Sequence, residues 1–357
     1  MRVLIAGGGT GGHVIPALAI GRELRDAHGA EVRFVGTARG LETRLVPEAG
    51  FQLELIHVGQ LKNVSLGTRL RTVLDLPLGM LRCVRLVRSF RPDVVVGVGG
   101  YASGPAMMAA ILLRVPTLAY EPNAAPGLAN RLVGKHVGAA AVNFAETVKY
   151  FRNAVVTGVP VREEIFDVPD RALGTERRLL ITAGSNGAKI FNATVPWIAG
   201  ELLQRVPGLT IVHQTGDKAL AATIAAYLNA GVDPGKVLVT AFLTDMPKQY
   251  AAADLVLARA GSTVAELAAA GKPALLVPLP TAADDHQRKN AELVVRGGAA
   301  EMLLQAELTQ AVLLERLDGL LTNGERLRTM SVAARAMGKP GALRRIGEMV
   351  VGLVKQG

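Results

Sequence analysis

The chain has 357 residues, half of them hydrophobic, which is too many for one ordinary core and fits two domains of about 150 residues each. Its single cysteine, Cys83, excludes an internal disulfide framework and a cysteine-rich zinc site, fits a reducing cytosol and reads as a small buried apolar residue. The net charge of +10 asks for an anionic partner, and an aromatic content of 4% leaves few base-stacking platforms, so no nucleic acid is expected. No apolar run approaches the roughly 20 residues that span a bilayer and the N-terminus opens into a strand pattern, so a soluble cytoplasmic protein is expected.

Val3 to Ala6 reads as a first strand. It runs into Gly7-Gly8-Gly9-Thr10-Gly11-Gly12-His13 and then an apolar-periodic helix. Glycines there let backbone N–H groups approach a ligand, and the helix start favours negative charge, so the turn is a candidate phosphate or diphosphate site; a tight turn kept for packing is the alternative. Gly7-x-Gly9-x-x-Gly12 matches the dinucleotide fingerprint, but the second strand, Val32 to Val35, ends in Gly36-Thr37-Ala38-Arg39 without the ribose-binding acid, and the nearest later acid is Glu42. A triphosphate loop fails too, because His13 stands where its lysine belongs.

Further strands are predicted at Gln52 to Ile56, Val94 to Val98, Thr117 to Tyr120 and Ala139 to Val142. Between them, Leu66 to Pro92 interleaves Arg69, Arg71, Arg82, Arg85, Arg88 and Arg91 with apolar residues, with Asp75 as its only acid. This is either a basic amphipathic surface for anionic headgroups or a core helix whose arginines are its solvated face. Val155 to Arg162 is a strand broken by Gly158 and Pro160, and a domain junction is placed there, giving domains 1–160 and 161–338. A second series of strands follows at Leu179 to Ala183, Thr210 to Gln214, Val237 to Thr240, Leu255 to Ala258 and Ala274 to Pro278. Alternation of strands and helices of this kind implies parallel sheets, built twice.

Gly184-Ser185-Asn186-Gly187-Ala188-Lys189 follows its strand as the first glycine loop follows Val3 to Ala6, either as a second anion loop facing the first across a cleft or as an ordinary Asn-Gly turn. Leu255 to Pro273 reads as a buried strand, a small-residue turn and a short helix ended by Gly271. Its start can hold a diphosphate while Glu266 accepts from sugar hydroxyls, or Thr263-x-x-Glu266 is a capping box serving the helix itself. A last helix from Leu343 to Val354, within 339–357, is placed across the hinge.

Taken together, Gly8 to His13, Gly99-Gly100-Tyr101-Ala102-Ser103-Gly104-Pro105, Glu121-Pro122-Asn123 with Gly127 and Asn130, Gly158 to Arg162, Gly184 to Ala188, Arg259 to Glu266, and Asp285-His286-Gln287-x-x-Asn290-Ala291 resemble, nearly end to end, the MurG family of GT-B glycosyltransferases. These bacterial enzymes add N-acetylglucosamine to the lipid-linked muramyl-pentapeptide precursor of peptidoglycan. The resemblance implies an α/β fold of two Rossmann-like, doubly wound parallel-sheet domains facing a cleft. It implies UDP-N-acetylglucosamine as donor, held in the C-terminal domain by Ser185, Leu243, Ser262, Thr263, Val264, Ala265, Glu266 and Gln287, with Glu266 on the ribose. Thr10, Gly11, Gly12, Asn123 and Arg162 are implied to approach the same donor. Gly99, Gly100, Tyr101, Ser103 and Gly104 are implied to take the diphosphate of the acceptor, an undecaprenyl-diphosphate-linked muramyl-pentapeptide, in an N-terminal domain that associates with an anionic membrane surface. The protein would then lie peripherally on the cytoplasmic face of the cell membrane.

The implied reaction is an inverting displacement in which the acceptor C4 hydroxyl attacks the anomeric carbon and UDP leaves. His13 is the candidate base, since an ordinary imidazole titrates near neutrality, and helix starts stabilise the departing diphosphate. No cofactor is implied. No Asp-x-Asp pair occurs, and Asp284 and Asp285 are adjacent, so no protein-bound metal is expected. Two departures from the family pattern are a turn from Arg259 to Glu266 one residue short and Asn186 where glutamine is usual. The competing reading is a UDP-N-acetylglucosamine 2-epimerase, which needs neither a lipid acceptor nor the basic apolar segment.

Overall fold

The structure, a computed structural model, describes residues 1–57, 66–171, 174 and 176–356. It divides into two compact units, Met1–Pro160 with Gly341–Gly357, and Val161–Pro340. The first unit carries seven strands: β1 (Arg2–Ala6), β2 (Glu31–Gly36), β3 (Gln52–Leu55), β4 (Val94–Gly97), β5 (Thr117–Glu121), β6 (Ala139–Val142) and β7 (Ala154–Val156). All pair in parallel in the order β3-β2-β1-β4-β5-β6-β7. Successive side chains of β1 point to opposite faces. Val3 and Ile5 join one buried cluster with Ile20, Leu24, Ile346 and Val350, while Leu4 and Ala6 join another with Cys83, Val87 and Met107. Helices cover both faces, which is why the strand is an unbroken apolar run rather than an alternating one.

The second unit carries β8 (Arg177–Thr182), β9 (Leu209–Gln214), β10 (Val237–Thr240), β11 (Leu255–Ala258), β12 (Ala274–Leu276) and β13 (Ala300–Met302), parallel in the order β10-β9-β8-β11-β12-β13. Its main core packs Leu179, Ile181, Leu255 and Leu257 against Phe191, Val195, Leu313 and Leu317. In both sheets the chain reverses direction of winding beside the first strand, between β1 and β4 and between β8 and β11. The crevice at the carboxyl ends of those strands is the usual ligand position in a doubly wound sheet. The glycine turns after β1, β4, β8 and β11 all open there.

Three features differ from the sequence reading or refine it. Strand β13 was not expected; it is three residues long, with Glu301 at its centre paired to Arg316 at 3.0 Å and Arg326 at 2.6 Å, a composition with little strand preference. The last helix, Ala342–Gln356, is built into the first unit, where Ile346 and Val350 are fully buried. In the basic segment the helix Leu66–Phe90 forms, with Cys83, Val87 and Phe90 buried and Leu78 and Leu81 exposed beside Arg82, Arg85 and Arg88; the side chains at 66–76, including Arg69, Arg71 and Asp75, lie outside the described residues.

The charge is divided unequally. Counted along the sequence, the first unit has 21 Lys and Arg against 11 Asp and Glu, and the second has 19 against 19, so the whole +10 belongs to the first.

Candidate functional site

In the first unit the turn after β1 is filled from beneath by a carboxylate. Glu42, 1% exposed, accepts the N–H of Gly9 at 2.7 Å, the N–H of Thr37 at 2.9 Å and the Thr37 hydroxyl at 3.0 Å. A Cβ at Gly8 or Gly40 would run into this carboxylate, so glycine is required at both positions by close approach. The loop amide that a dinucleotide-type turn would turn towards phosphate is therefore engaged by the protein's own anion. What stays open is the helix start. Thr10 is an exposed N-cap whose side chain makes no capping bond, and the N–H groups of Gly11 and Gly12 have no partner among the described residues.

His13 sits in that first helical turn, its Nδ1 3.5 Å from the Thr10 hydroxyl. Its imidazole lies over the second glycine turn of the unit. A Cβ on Gly99 would come within 2.9 Å of the ring Cδ2 and 3.0 Å of Nε2, and one on Gly100 would strike the carbonyl oxygen of Gly8. Gly99 and Gly100 have φ of +91° and +84°, so the two turns touch backbone to backbone at the switch point between β1 and β4. Tyr101 is 39% exposed, whereas Ser103 and Gly104 are buried and the Ser103 hydroxyl has no hydrogen-bond partner. Only the backbone of this turn, and Tyr101, can meet a ligand.

The motif Glu121 to Asn130 closes on itself around one carboxylate. Glu121, 2% exposed at the end of β5, accepts from the Asn123 N–H and Nδ2, the Gly127 N–H and the Asn130 Nδ2, all within 3.0–3.1 Å. Burial pushes its pKa up while these donors pull it down. The Asn123 side-chain amide thus shapes this loop through Glu121. The Thr147 hydroxyl, from the next segment, donates to the Asn123 carbonyl at 3.1 Å and fixes it further.

In the second unit the turn after β11 leads into the helix Thr263–Ala270. Ser262 is the N-cap and makes no side-chain cap, and the Glu266 carboxylate turns away to accept the Tyr250 hydroxyl at 2.7 Å. The capping box that Thr263 and Glu266 could have formed is absent. The N–H groups of Ser262 and Thr263 have no partner among the described residues, while Val264 is buried and the Ala265 N–H is taken by the Ser262 carbonyl. Two N–H groups at a helix start with positive dipole character can accept an anion such as a diphosphate. Burial raises the Glu266 pKa, against the Tyr250 hydrogen bond and the positive charge of exposed Arg162.

Around this seat the remaining residues fall into supporting and presenting roles. Arg259 donates to the carbonyls of Val277 and Pro278 at 2.9 and 3.1 Å and to Gln305 at 2.7 Å, tying the turn to the end of β12. Gln287 accepts the Leu279 N–H at 3.0 Å, and its Nε2 lies 3.7 Å from where a Cβ of Gly261 would stand. Ser185 is exposed in a turn closed by the Gly187 N–H on the Gly184 carbonyl at 3.1 Å. Leu243 is 7% exposed, and its N–H donates to Gln214 at 3.1 Å, while Gln214 donates to the Gly184 carbonyl at 2.7 Å.

Gln214, Tyr250 and Glu42 are the residues that the sequence did not single out. Each acts through a partner between 16 and 33 positions away. Among the described residues no three His, Cys, Asp or Glu side chains gather into a group that could hold a metal ion. Asp284 and Asp285 both adopt left-handed backbone, and Asp285 pairs with Arg288.

Residues 3–142 match the glycosyltransferase family 28 N-terminal domain, and residues 178–346 match the glycosyltransferase family 28 C-terminal domain. The UDP-N-acetylglucosamine–N-acetylmuramyl-(pentapeptide) pyrophosphoryl-undecaprenol N-acetylglucosamine transferase of Solibacter usitatus (strain Ellin6076) is 45% identical over 354 residues, covering 97% of this chain and 94% of the relative. The crystal structure of Acinetobacter baumannii MurG superposes with a TM-score of 0.82 at 32% identity, over 98% of this chain and 99% of that one. A UDP-GlcNAc 2-epimerase from Neisseria meningitidis, bound to UDP-GlcNAc, gives a TM-score of 0.63 at 15% identity over 99% and 100% of the two chains. At that identity the likeness is one of fold alone.

Proposed function

The chain belongs to glycosyltransferase family 28, and on that premise we propose that it transfers N-acetylglucosamine from UDP-N-acetylglucosamine to the C4 hydroxyl of an undecaprenyl-diphosphate-linked N-acetylmuramyl-pentapeptide. The observation that carries this reading is full-length likeness at 45% identity to a transferase of that name, against 15% for the epimerase that shares only the fold.

The second unit takes the donor. The open N–H groups of Ser262 and Thr263 receive the diphosphate, and the charge that grows on UDP as it leaves meets dipoles already fixed in place. Glu266 accepts the ribose hydroxyls, and Gln287, Ser185 and the Leu243 segment complete the seat. The first unit takes the acceptor on the turn at Gly99 to Gly104. There His13, set beside Thr10 and over Gly99, accepts the proton of the attacking hydroxyl as the new bond forms at the anomeric carbon.

The membrane reading rests on two further features of the first unit. It carries the whole net charge of +10, and its neighbouring helices Leu66–Phe90, Ser103–Leu112 and Leu128–Val133 expose Leu78, Leu81, Met108, Leu112, Leu128 and Leu132. An apolar patch beside Arg82, Arg85 and Arg131 suits an anionic bilayer surface. No helix among the described residues is long and apolar enough to cross a membrane, and the attachment proposed is peripheral, at the cytoplasmic face.

The test is transfer of radiolabelled N-acetylglucosamine from its UDP donor to the lipid-linked acceptor, with EDTA present and an acceptor-free control. Label in the lipid product supports a metal-independent transferase. Release of epimerised sugar without transfer would replace this reading by the epimerase.

A further inference from the structure

Tyr250 is 0% exposed on the helix Met246–Ala252, and its hydroxyl donates a 2.7 Å hydrogen bond to Glu266 Oε2. No other donor reaches the Glu266 carboxylate among the described residues. We propose that Tyr250 is a positioning residue for donor recognition: by holding one carboxylate oxygen of Glu266, it aims the other at a vicinal ribose diol and so sets the enzyme's preference for ribonucleotide over deoxyribonucleotide sugar donors.

The physical case has three parts. A glutamate side chain has three rotatable bonds, and its terminal torsion is broad; a hydrogen bond from a fully packed phenol removes that freedom before the ligand arrives, which lowers the ordering cost of binding. A neutral hydroxyl, unlike a lysine or arginine, brings no compensating positive charge to the carboxylate, so the second oxygen remains available as an acceptor. The helix carrying Tyr250 is itself fixed, with Asp245 at its N-cap accepting the Lys248 N–H and Tyr250 in the interior beneath Glu266. Arg162 contributes long-range positive charge to the same pair, and it stands exposed rather than bonded to the carboxylate.

The inference rests on the donor site proposed above, and the experiment separates the two. Full-length wild type, Tyr250→Phe and Glu266→Ala are compared for KM and kcat with UDP-N-acetylglucosamine, and for inhibition by UDP and by 2′-deoxy-UDP. Tyr250→Met, which also lacks the hydroxyl but fills space flexibly, is made alongside so that one misfolded variant does not remove the test. Thermal midpoints identify the folded variants. The expected result is a KM about tenfold higher in Tyr250→Phe, the loss associated with one hydrogen bond to a charged group, with kcat within about twofold because the ribose is remote from the reacting carbon. The preference of wild type for UDP over 2′-deoxy-UDP should collapse towards one in Tyr250→Phe, and adding Tyr250→Phe to Glu266→Ala should change it no further. A folded Tyr250→Phe or Tyr250→Met that keeps the wild-type preference overturns the role of Tyr250 and leaves the donor site standing. Equal inhibition of the wild type by UDP and 2′-deoxy-UDP overturns the assignment of Glu266 to the ribose, and with it the donor-site reading.

Discussion

Glu42 holds the backbone N–H of Gly9 at 2.7 Å from inside the protein, so the first glycine turn already contains an anion. The equivalent turn of the second unit, after β8, has no carboxylate bonded to Gly184, Ser185 or Gly187 among the described residues. Two loops of similar sequence at equivalent places in two similar sheets thus differ in their electrostatics. The buried carboxylate under Gly9 occupies the loop amide itself, while the N–H groups of Gly11 and Gly12 in the first unit and of Ser262 and Thr263 in the second have no partner among the described residues.

Glu42→Gln removes the charge and turns part of the side chain into a donor facing the N–H groups of Gly9 and Thr37. The first unit is expected to lose about 2 kcal/mol, the scale of a buried hydrogen-bonding group left without its partner. Acceptor turnover should fall with it, while KM for UDP-N-acetylglucosamine should stay at the wild-type value. Calorimetry and donor titration check this; an unchanged thermal profile would refute it.

His13→Ala is expected to lower kcat by a factor on the order of 10²–10⁴, the usual contribution of a positioned general base, with UDP binding retained. Gly99→Ala should act in the same direction without touching the imidazole chemically. A methyl 2.9 Å from the ring must displace it, and φ of +91° is strained for alanine. If Gly99→Ala keeps full kcat, the ring's seat over Gly99 does not matter for turnover.

Acid should destabilise the second unit through His213. Its ring is 0% exposed, with Nδ1 3.0 Å from the Tyr227 hydroxyl, and burial lowers its pKa from 6.5 to about 3. The folded protein therefore keeps the imidazole neutral while the unfolded chain takes up a proton as pH drops below 6.5. Stability from this group is fully present above pH 6.5 and is lost as pH falls towards 3. By pH 5 the loss is about 2 kcal/mol. Denaturant melts of wild type and His213→Gln between pH 7.5 and 5 should show a steeper decline for wild type, and parallel curves would show that His213 does not carry the effect.

Leu78→Glu with Leu81→Glu should release the protein from anionic vesicles. Each leucine is more than half exposed, and burying such a side chain in a bilayer surface is worth about 1 kcal/mol or more. Together with added charge repulsion this predicts a drop in binding of more than about tenfold. Vesicle co-sedimentation at two salt concentrations measures it, with catalysis on a water-soluble acceptor as the control for folding. Binding that survives both substitutions would move the contact elsewhere.

Much of the architecture was legible because parallel strands buried on both faces are written as apolar runs, as Val3 to Ala6 and Leu255 to Ala258 are, and because the glycine turns mark their carboxyl ends. Strand β13 was not, since Glu301 breaks the run in a segment of only three residues. At the candidate site, Glu266 can be placed one turn into its helix but not told from half of a capping box, and His13 is picked out as a base only through the family resemblance. What each one faces could not be read: Gly99 lies 86 positions from His13, and Tyr250 lies 16 from Glu266 on another helix. Glu42 stands at the wrong distance for a ribose-binding acid, and only the folded chain shows that it turns inward to the loop. Ser103 is 1% exposed, and that burial cannot be read from the glycine turn in which it stands.

The return of the chain to the first unit at Gly341 has a bearing on the order in which this protein can be finished. Ile346 and Val350 fill the core behind β1, yet they are translated after the entire second unit. On the ribosome, the first sheet must wait with one face open while residues 161–340 emerge and fold. Until the final helix docks, the nascent chain shows apolar surface around Val3 and Ile5 to the cell, and this interval is when it is most exposed to aggregation and chaperone capture.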